Sequence, residues 1–304
     1  MRRNSDSRKN QVTDQPYRER RFLTQDGLNL YYRDYDSGTG SGAPLLCLAG
    51  LTRNSADFAA LAEAHAAERR VVCPDYRGRG ASDRADDWRT YTPETYINDI
   101  RHLIVAAGLH RIVLVGTSLG GFLSMGLGAT IPSAIAGVVL NDVGPQIEAS
   151  ATAEIVDYAG TDRPAPDWPA AIAATRERYP EFEAWTDADF EDVARATYRE
   201  GDDGLLHYNW DVRLVQPIRR GTGGAPDFRA MFRALRHVPV LAVRGGNSDL
   251  LTDEGLQAML DDHPDIRGVT VPGVGHAPRL HEPAAAEAVD GFLKSVDERH
   301  GRHG

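Results

Sequence analysis

The chain has 304 residues, 41% of them hydrophobic, and a formal net charge of -10, so it can bury one large core with room for an inserted subdomain. Its acidity excludes nucleic acid or an anionic membrane surface as the main partner, because both repel a negatively charged protein. No stretch approaches the roughly 20 apolar residues of a membrane helix, and residues 1–20 are polar, without the apolar core of a secretion signal, so the chain reads as a cytoplasmic protein with a disordered tail over 1–20.

In chain order, Arg21 to Asp26 and Leu28 to Tyr35 alternate apolar and polar residues about Asp26-Gly27, the mark of a hairpin. Pro44 to Leu48 is continuously apolar and ends at Ala49-Gly50, as expected of a strand covered on both faces. Ser55 to Glu68 has helical spacing with Ser55 as the expected N-cap. Arg70 to Pro74 is a second buried strand, followed by a tight charged loop from Asp75 to Asp83 in which Arg77 could meet a substrate carboxylate, cap a helix or pair with Asp75 or Asp83. Thr92-Pro93-Glu94 opens a helix running to about Leu109. Cys47 and Cys73 both sit in apolar strand-like runs and read as buried free thiols.

Next, Arg111 to Gly121 runs from β-branched residues (Ile112 to Val115) into Gly116-Thr117-Ser118-Leu119-Gly120 and then into helix-compatible sequence. A strand that turns sharply into a helix at G-x-S-x-G, a nucleophile elbow, leaves the serine hydroxyl exposed at a helix amino end, where unpaired N–H groups favour developing negative charge. Ile135 to Leu140 is another strand, ending at Asn141-Asp142-Val143-Gly144-Pro145. From there to Leu235 the β/α alternation gives way to amphipathic helices carrying Trp168, Trp185 and Trp210. Alternation resumes with strands at Val238 to Val243 and Gly268 to Val271 and helices at Glu254 to Asp262 and Pro283 to Val296. Alternating strands and helices mean a mostly parallel sheet covered on both faces. A helical insertion at a strand's carboxyl end lies where such sheets bind ligands, which suits a lid. The division expected is a core over 21–144 and 236–299 and a cap over 145–235.

A serine attacks only if a base takes its proton and a further group orients that base. The base is expected at His276, in the glycine-rich loop Pro272 to His276, and the acid at Asp249, in the loop Arg244 to Asp249. Asp142, at the end of the strand beside the elbow strand, is the alternative acid. Arg53, His207 and Trp210 are candidate substrate contacts: Arg53 follows a strand and could meet a carboxylate, and the other two lie in the lid. No grouping of His, Cys and carboxylates has metal-ligand spacing, so no metal and no organic cofactor is expected.

With Gly116-Thr117-Ser118-Leu119-Gly120, Asp75-Tyr76-Arg77-Gly78-Arg79-Gly80, Gly246-Asn247-Ser248-Asp249 and Gly273-Val274-Gly275-His276 in this order, the sequence resembles the α/β-hydrolase fold family from about Arg21 to Val296. The resemblance implies an eight-stranded, mostly parallel sheet with a helical lid after strand 6. It implies Ser118 as nucleophile, His276 as general base and then acid, Asp249 as the orienting acid, and an oxyanion hole from the N–H groups of Leu51 and Leu119. Many relatives carry His-Gly where this chain has Ala49-Gly50; the donor is backbone, so the hole is expected to survive. Epoxide hydrolases and haloalkane dehalogenases of this fold use aspartate where Ser118 stands, which removes those chemistries. What remains is hydrolysis of a small to medium carboxylic ester or lactone, with carbon–carbon bond hydrolysis of a diketone-type acid, cofactor-free perhydrolase chemistry and a non-enzymatic receptor as alternatives. The expected partner is a small molecule, and monomer and homodimer are both left open.

Overall fold

The computed structural model describes residues 15–145, 149–221 and 227–301. Eight strands form one sheet: β1 (Arg18–Leu23), β2 (Asn29–Tyr35), β3 (Leu45–Leu48), β4 (Val71–Pro74), β5 (Ile112–Thr117), β6 (Ile135–Asn141), and, beyond an insertion, β9 (Val240–Gly245) and β10 (Ile266–Val271). Their order across the sheet is β1-β2-β4-β3-β5-β6-β9-β10. β2 runs antiparallel to both of its neighbours, and the strands from β4 to β10 are parallel. β1 begins at Arg18, so the last residues of the expected tail are sheet, while 1–14 lie outside the described residues.

The apolar runs that lack a clean period are the central strands. Leu46, Leu48, Ile112 and Leu114 point to one face and Leu45, Cys47, Val113 and Val115 to the other, and all are fully buried. Helices α2 (Pro93–Ala106), α3 (Leu119–Thr130) and α9 (Asp253–Asp262) cover the first face. The second is covered by α1 (Ala59–His65) and α10 (Pro283–Gly301). Thr92 caps α2 as expected, its hydroxyl accepting the Thr95 N–H at 3.4 Å. The helix expected from Ser55 instead starts as a 3-10 turn over Ser55–Phe58 and is capped by Asn54, whose side-chain oxygen accepts the Ala56 N–H. Cys47 and Cys73 are buried free thiols. Among the described residues no helix is long and apolar enough to cross a membrane.

Between β6 and β9 lie α4 (Ala149–Ala159), α5 (Trp168–Arg178), α6 (Asp187–Thr197), α7 (Gln216–Arg220) and α8 (Phe228–Arg233). A two-stranded hairpin, β7 (Tyr198–Glu200) with β8 (Leu206–Tyr208), interrupts them. The expectation of helices alone missed this hairpin because each strand is only three residues long, too short for a period of two to register.

The charged loop after β4 is structural, but with other partners than expected. Arg77, 1% exposed, donates to Asp99 (2.7 and 2.8 Å) and to Asp26 (2.7 and 3.1 Å), while the Asp75 carboxylate accepts the Ser55 and Ala81 N–H groups. Removing one member of such a cluster strands a buried charge, so Arg77→Met is expected to cost about 3–5 kcal/mol in urea unfolding. Arg77→Met with Asp99→Leu should recover part of that loss; a double variant no more stable than Arg77→Met alone would show that Asp99 is not the group left stranded.

Candidate active site

The elbow is held together by backbone contacts that tolerate no side chain. A Cβ on Gly116 would collide with the Gly120 carbonyl, and one on Gly120 with the Leu48 carbonyl. Ser118 itself sits at φ 52°, ψ -114°, a backbone region that a non-glycine residue occupies only when its surroundings force it. Its N–H donates to the Asn141 carbonyl (3.1 Å), which ties the turn to the end of β6. The side chain is thereby presented at the carboxyl edge of the sheet, at the head of α3.

Ser118 and His276 line the same cleft, of about 580 Å³. His276 comes from the loop after β10, and its Nδ1 lies 2.7 Å from Oδ2 of Asp142. That carboxylate is fully buried and also accepts the Gly245 N–H (2.8 Å) and the Ser248 hydroxyl (2.5 Å). Three donors offset the cost of burying it. Because a carboxylate accepts, Nδ1 carries the proton, and Nε2 is left as the basic nitrogen.

The partner of His276 corrects the expectation for the acid. Asp249 is exposed on the rim of the cleft, and no bond joins it to His276; its neighbour Ser248 turns inward onto Asp142 instead. The sheet order explains the choice. β6 lies between β5 and β9, and Asp142 N–H bonds the Val243 carbonyl at 2.7 Å, so the residue after β6 falls between the elbow and the β9 loop. Asp142 also has a left-handed φ of 52°.

Two further residues at the site, Ser248 and Asn141, were not singled out by the sequence reading. Ser248 supports Asp142. Asn141 donates through Nδ2 to Thr117 Oγ1 (3.0 Å) and to the Pro278 carbonyl (2.7 Å), linking the elbow to the loop that bears His276. A serine in the motif Gly246-Asn247-Ser248-Asp249 and an Asn-Asp pair at a strand end were the available signals.

Leu51 lines the cleft and Leu119 begins α3 directly after Ser118. Among the described residues neither of their N–H groups has an acceptor within the protein. The Gly50 carbonyl accepts the Arg53 N–H (3.1 Å), and across a trans peptide this turns the Leu51 N–H the opposite way.

Of the other candidate contacts, Arg53 lines the cleft but is already engaged: Nε and Nη2 grip Asp57 (2.7 and 2.6 Å) and Nη1 reaches Thr197 Oγ1 (2.5 Å). Burial works against its charge, yet the Asp57 carboxylate holds it above its ordinary range. His207 does not reach the cleft; it is clamped between Asp162 (2.6 Å) and Asp203 (3.0 Å). Trp210 also stays away from the cleft. It is 2% exposed, donates to the Ala159 carbonyl and stacks on Tyr208 at 4.1 Å. The apolar lining of the cleft comes instead from Tyr158, Tyr179, Phe182, Trp185 and Val193, all from the segment between β6 and β9, with Phe58 from the core, and Glu154, Glu177, Arg178 and Glu181 of the same segment line it as well.

Residues 45–289 match the model of the alpha/beta hydrolase family. A 3-hydroxybutyrate-oligomer hydrolase of Cupriavidus necator is 35% identical, over 79% of this chain and 84% of that protein. A 2-(acetamidomethylene)succinate hydrolase of Mesorhizobium japonicum is 32% identical, over 78% and 82%. The crystal structure of an alpha/beta hydrolase from Novosphingobium aromaticivorans superimposes with a TM-score of 0.86 at 37% identity, covering 92% of this chain and 98% of that one. Fold, strand order and relatives agree that the chain belongs to the alpha/beta hydrolase family.

Proposed function

We propose that this protein is a serine hydrolase that cleaves a small to medium carboxylic ester or lactone through an acyl-enzyme. The observation that carries the reading is His276 bonded through Nδ1 to the buried Asp142 on the cleft that Ser118 also lines. Ser118 Oγ attacks the carbonyl carbon while its proton passes to His276 Nε2, and Asp142 stabilises the imidazolium that results. The tetrahedral oxyanion is met by the N–H groups of Leu51 and Leu119. Collapse breaks the bond to the alcohol oxygen, which leaves with the proton from His276. A water then gives its proton to His276, attacks the acyl carbon and releases the acid, and the proton returns to Ser118.

The cleft also bears on the substrate. Its aromatic wall suits an apolar acyl or alcohol group, and the pairing of Arg53 with Asp57 makes that arginine an ordering contact rather than a free carboxylate reader. The relative that acts on 3-hydroxybutyrate oligomers makes an oligomer of a short hydroxy acid the first ester to try. We read residues 145–235 as the cap and the rest of 21–299 as the core. A panel of simple esters, lactones, hydroxy-acid oligomers and diketone-type acids, run beside fluorophosphonate labelling, tests the class. Turnover of esters or lactones is expected, whereas cleavage of diketone acids alone, or binding without turnover, would refute it.

Trp185 tests the wall. It lies against Phe182 at 3.9 Å between ring centroids and lines the cleft. One methylene in an apolar pocket is worth about 10- to 200-fold in discrimination, so Trp185→Ala is expected to lower kcat/KM for a hexanoyl ester about tenfold more than for an acetyl ester. Equal rescaling of both would remove the wall from specificity.

A further inference from the structure

Arg79 is 1% exposed, and among the described residues no carboxylate pairs with it. Its guanidinium donates through Nε to the Leu51 carbonyl (2.9 Å) and through Nη1 to the Arg77 carbonyl (2.8 Å) and the Tyr96 hydroxyl (2.7 Å). Nη2 is buried without an acceptor. The faces of Tyr96, Tyr76 and Tyr91 lie 4.7, 5.7 and 5.9 Å from its carbon. An arginine cannot shed its proton in a protein, and desolvating a cation without a counter-ion is costly. Ring faces and carbonyl dipoles offset only part of that, so a group this costly to bury asks for a role beyond packing.

Its position supplies one. The segment Ala49-Gly50-Leu51 has all three carbonyls engaged: Ala49 accepts the Tyr76 hydroxyl (3.2 Å), Gly50 the Arg53 N–H, and Leu51 the Arg79 Nε–H. Burial pushes the Tyr76 phenol up, which keeps it a donor. With these carbonyls held, the Leu51 N–H is the polar group of its peptide left without a partner. The loop that carries Arg79 is itself clamped by the insertion, since Gly80 N–H donates to the Asn209 carbonyl (2.9 Å) and Asp211 N–H to the Gly78 carbonyl (2.7 Å).

We propose that Arg79 is the positioning residue of the Leu51 donor loop, anchoring the carbonyl that follows the donor peptide and setting behind it a positive charge with no directly paired carboxylate, which favours the oxyanion over the neutral substrate. The inference rests on the ester-hydrolase reading. Arg79 touches neither substrate nor the reacting atoms, so its effect should appear where negative charge develops and not in ground-state binding.

The test measures kcat and KM on p-nitrophenyl acetate, and affinity for an alkyl trifluoromethyl ketone, whose adduct with Ser118 carries the oxyanion. Loss of one oxyanion donor costs about 10²- to 10³-fold in kcat, so Arg79→Met, shown folded by circular dichroism, is expected to lose about 10²-fold in kcat. KM should stay within about twofold, and ketone affinity should fall in step with kcat/KM. Tyr96→Phe, which takes an oxygen from the same guanidinium but leaves the bond to Leu51, should stay within about threefold of the parent in kcat. If Arg79→Met does not fold, Arg79→Lys keeps the charge but loses the fork, and should give about a tenfold loss with the same parallel fall in ketone affinity. Unchanged kcat in the folded arginine variant, or a loss of kcat with undiminished ketone affinity, overturns the proposal. Parent protein that forms no adduct at Ser118 would overturn the hydrolase reading instead, and the two failures are distinct.

Discussion

Ser118→Ala is expected to lower kcat for ester hydrolysis by about 10⁴- to 10⁶-fold with little change in KM, because the members of such a site act as one unit and the residual rate comes from binding and the oxyanion donors alone. The fold should not suffer. Ser118 accepts α3 bonds and donates to Asn141 through its backbone, and its side chain makes no hydrogen bond among the described residues. Alanine cannot relieve the φ of 52° but removes only the hydroxyl. Fluorophosphonate labelling should disappear together with turnover. A rate within tenfold of the parent, or retained labelling elsewhere, would show that another group does the chemistry.

The second large effect separates the two acids. Asp142→Asn is expected to lower kcat by about 10³- to 10⁴-fold, and Asp249→Asn by no more than about threefold. An asparagine at 142 can turn its amide donor toward His276 Nδ1, which leaves the proton on Nε2 and abolishes the base while the geometry stays close to the original. Its side-chain oxygen can still accept the Ser248 hydroxyl or the Gly245 N–H, so the loss should not come from unfolding, and a thermal melt checks this. Asp249 is exposed and without a bond to His276, so its amide should change little. The reverse order of effects would return the role to Asp249.

Much of this was legible in the sequence because single segments carry it. The strand-elbow-helix signal at Ile112 to Gly121 depends on local geometry that only small residues at 116 and 120 permit, and the apolar runs of β3 to β6 report burial on both faces. The choice between Asp142 and Asp249 was not local. It depends on which loop faces His276 once β6 is seated between β5 and β9, and on Ser248 rather than Asp249 turning inward. The same limit applies to Trp210 and His207: an aromatic and a histidine in a helical insertion give no sign of which face meets the cleft, and both pack within the insertion. Arg77 drew its partners from residues 51 positions earlier and 22 later in the chain, beyond any local pattern.

The central claim is that Ser118 forms a covalent acyl intermediate, and the most direct test is to mix the protein with excess p-nitrophenyl acetate, quench in acid during the burst, and map the modified peptide by mass. The account predicts one acetyl group on the peptide containing Ser118, at near-stoichiometric occupancy if deacylation is the slower step, and none in the Ser118→Ala variant. Steady turnover with acetyl recovered on another residue, or with the Ser118→Ala variant acylating as the parent does, would contradict it.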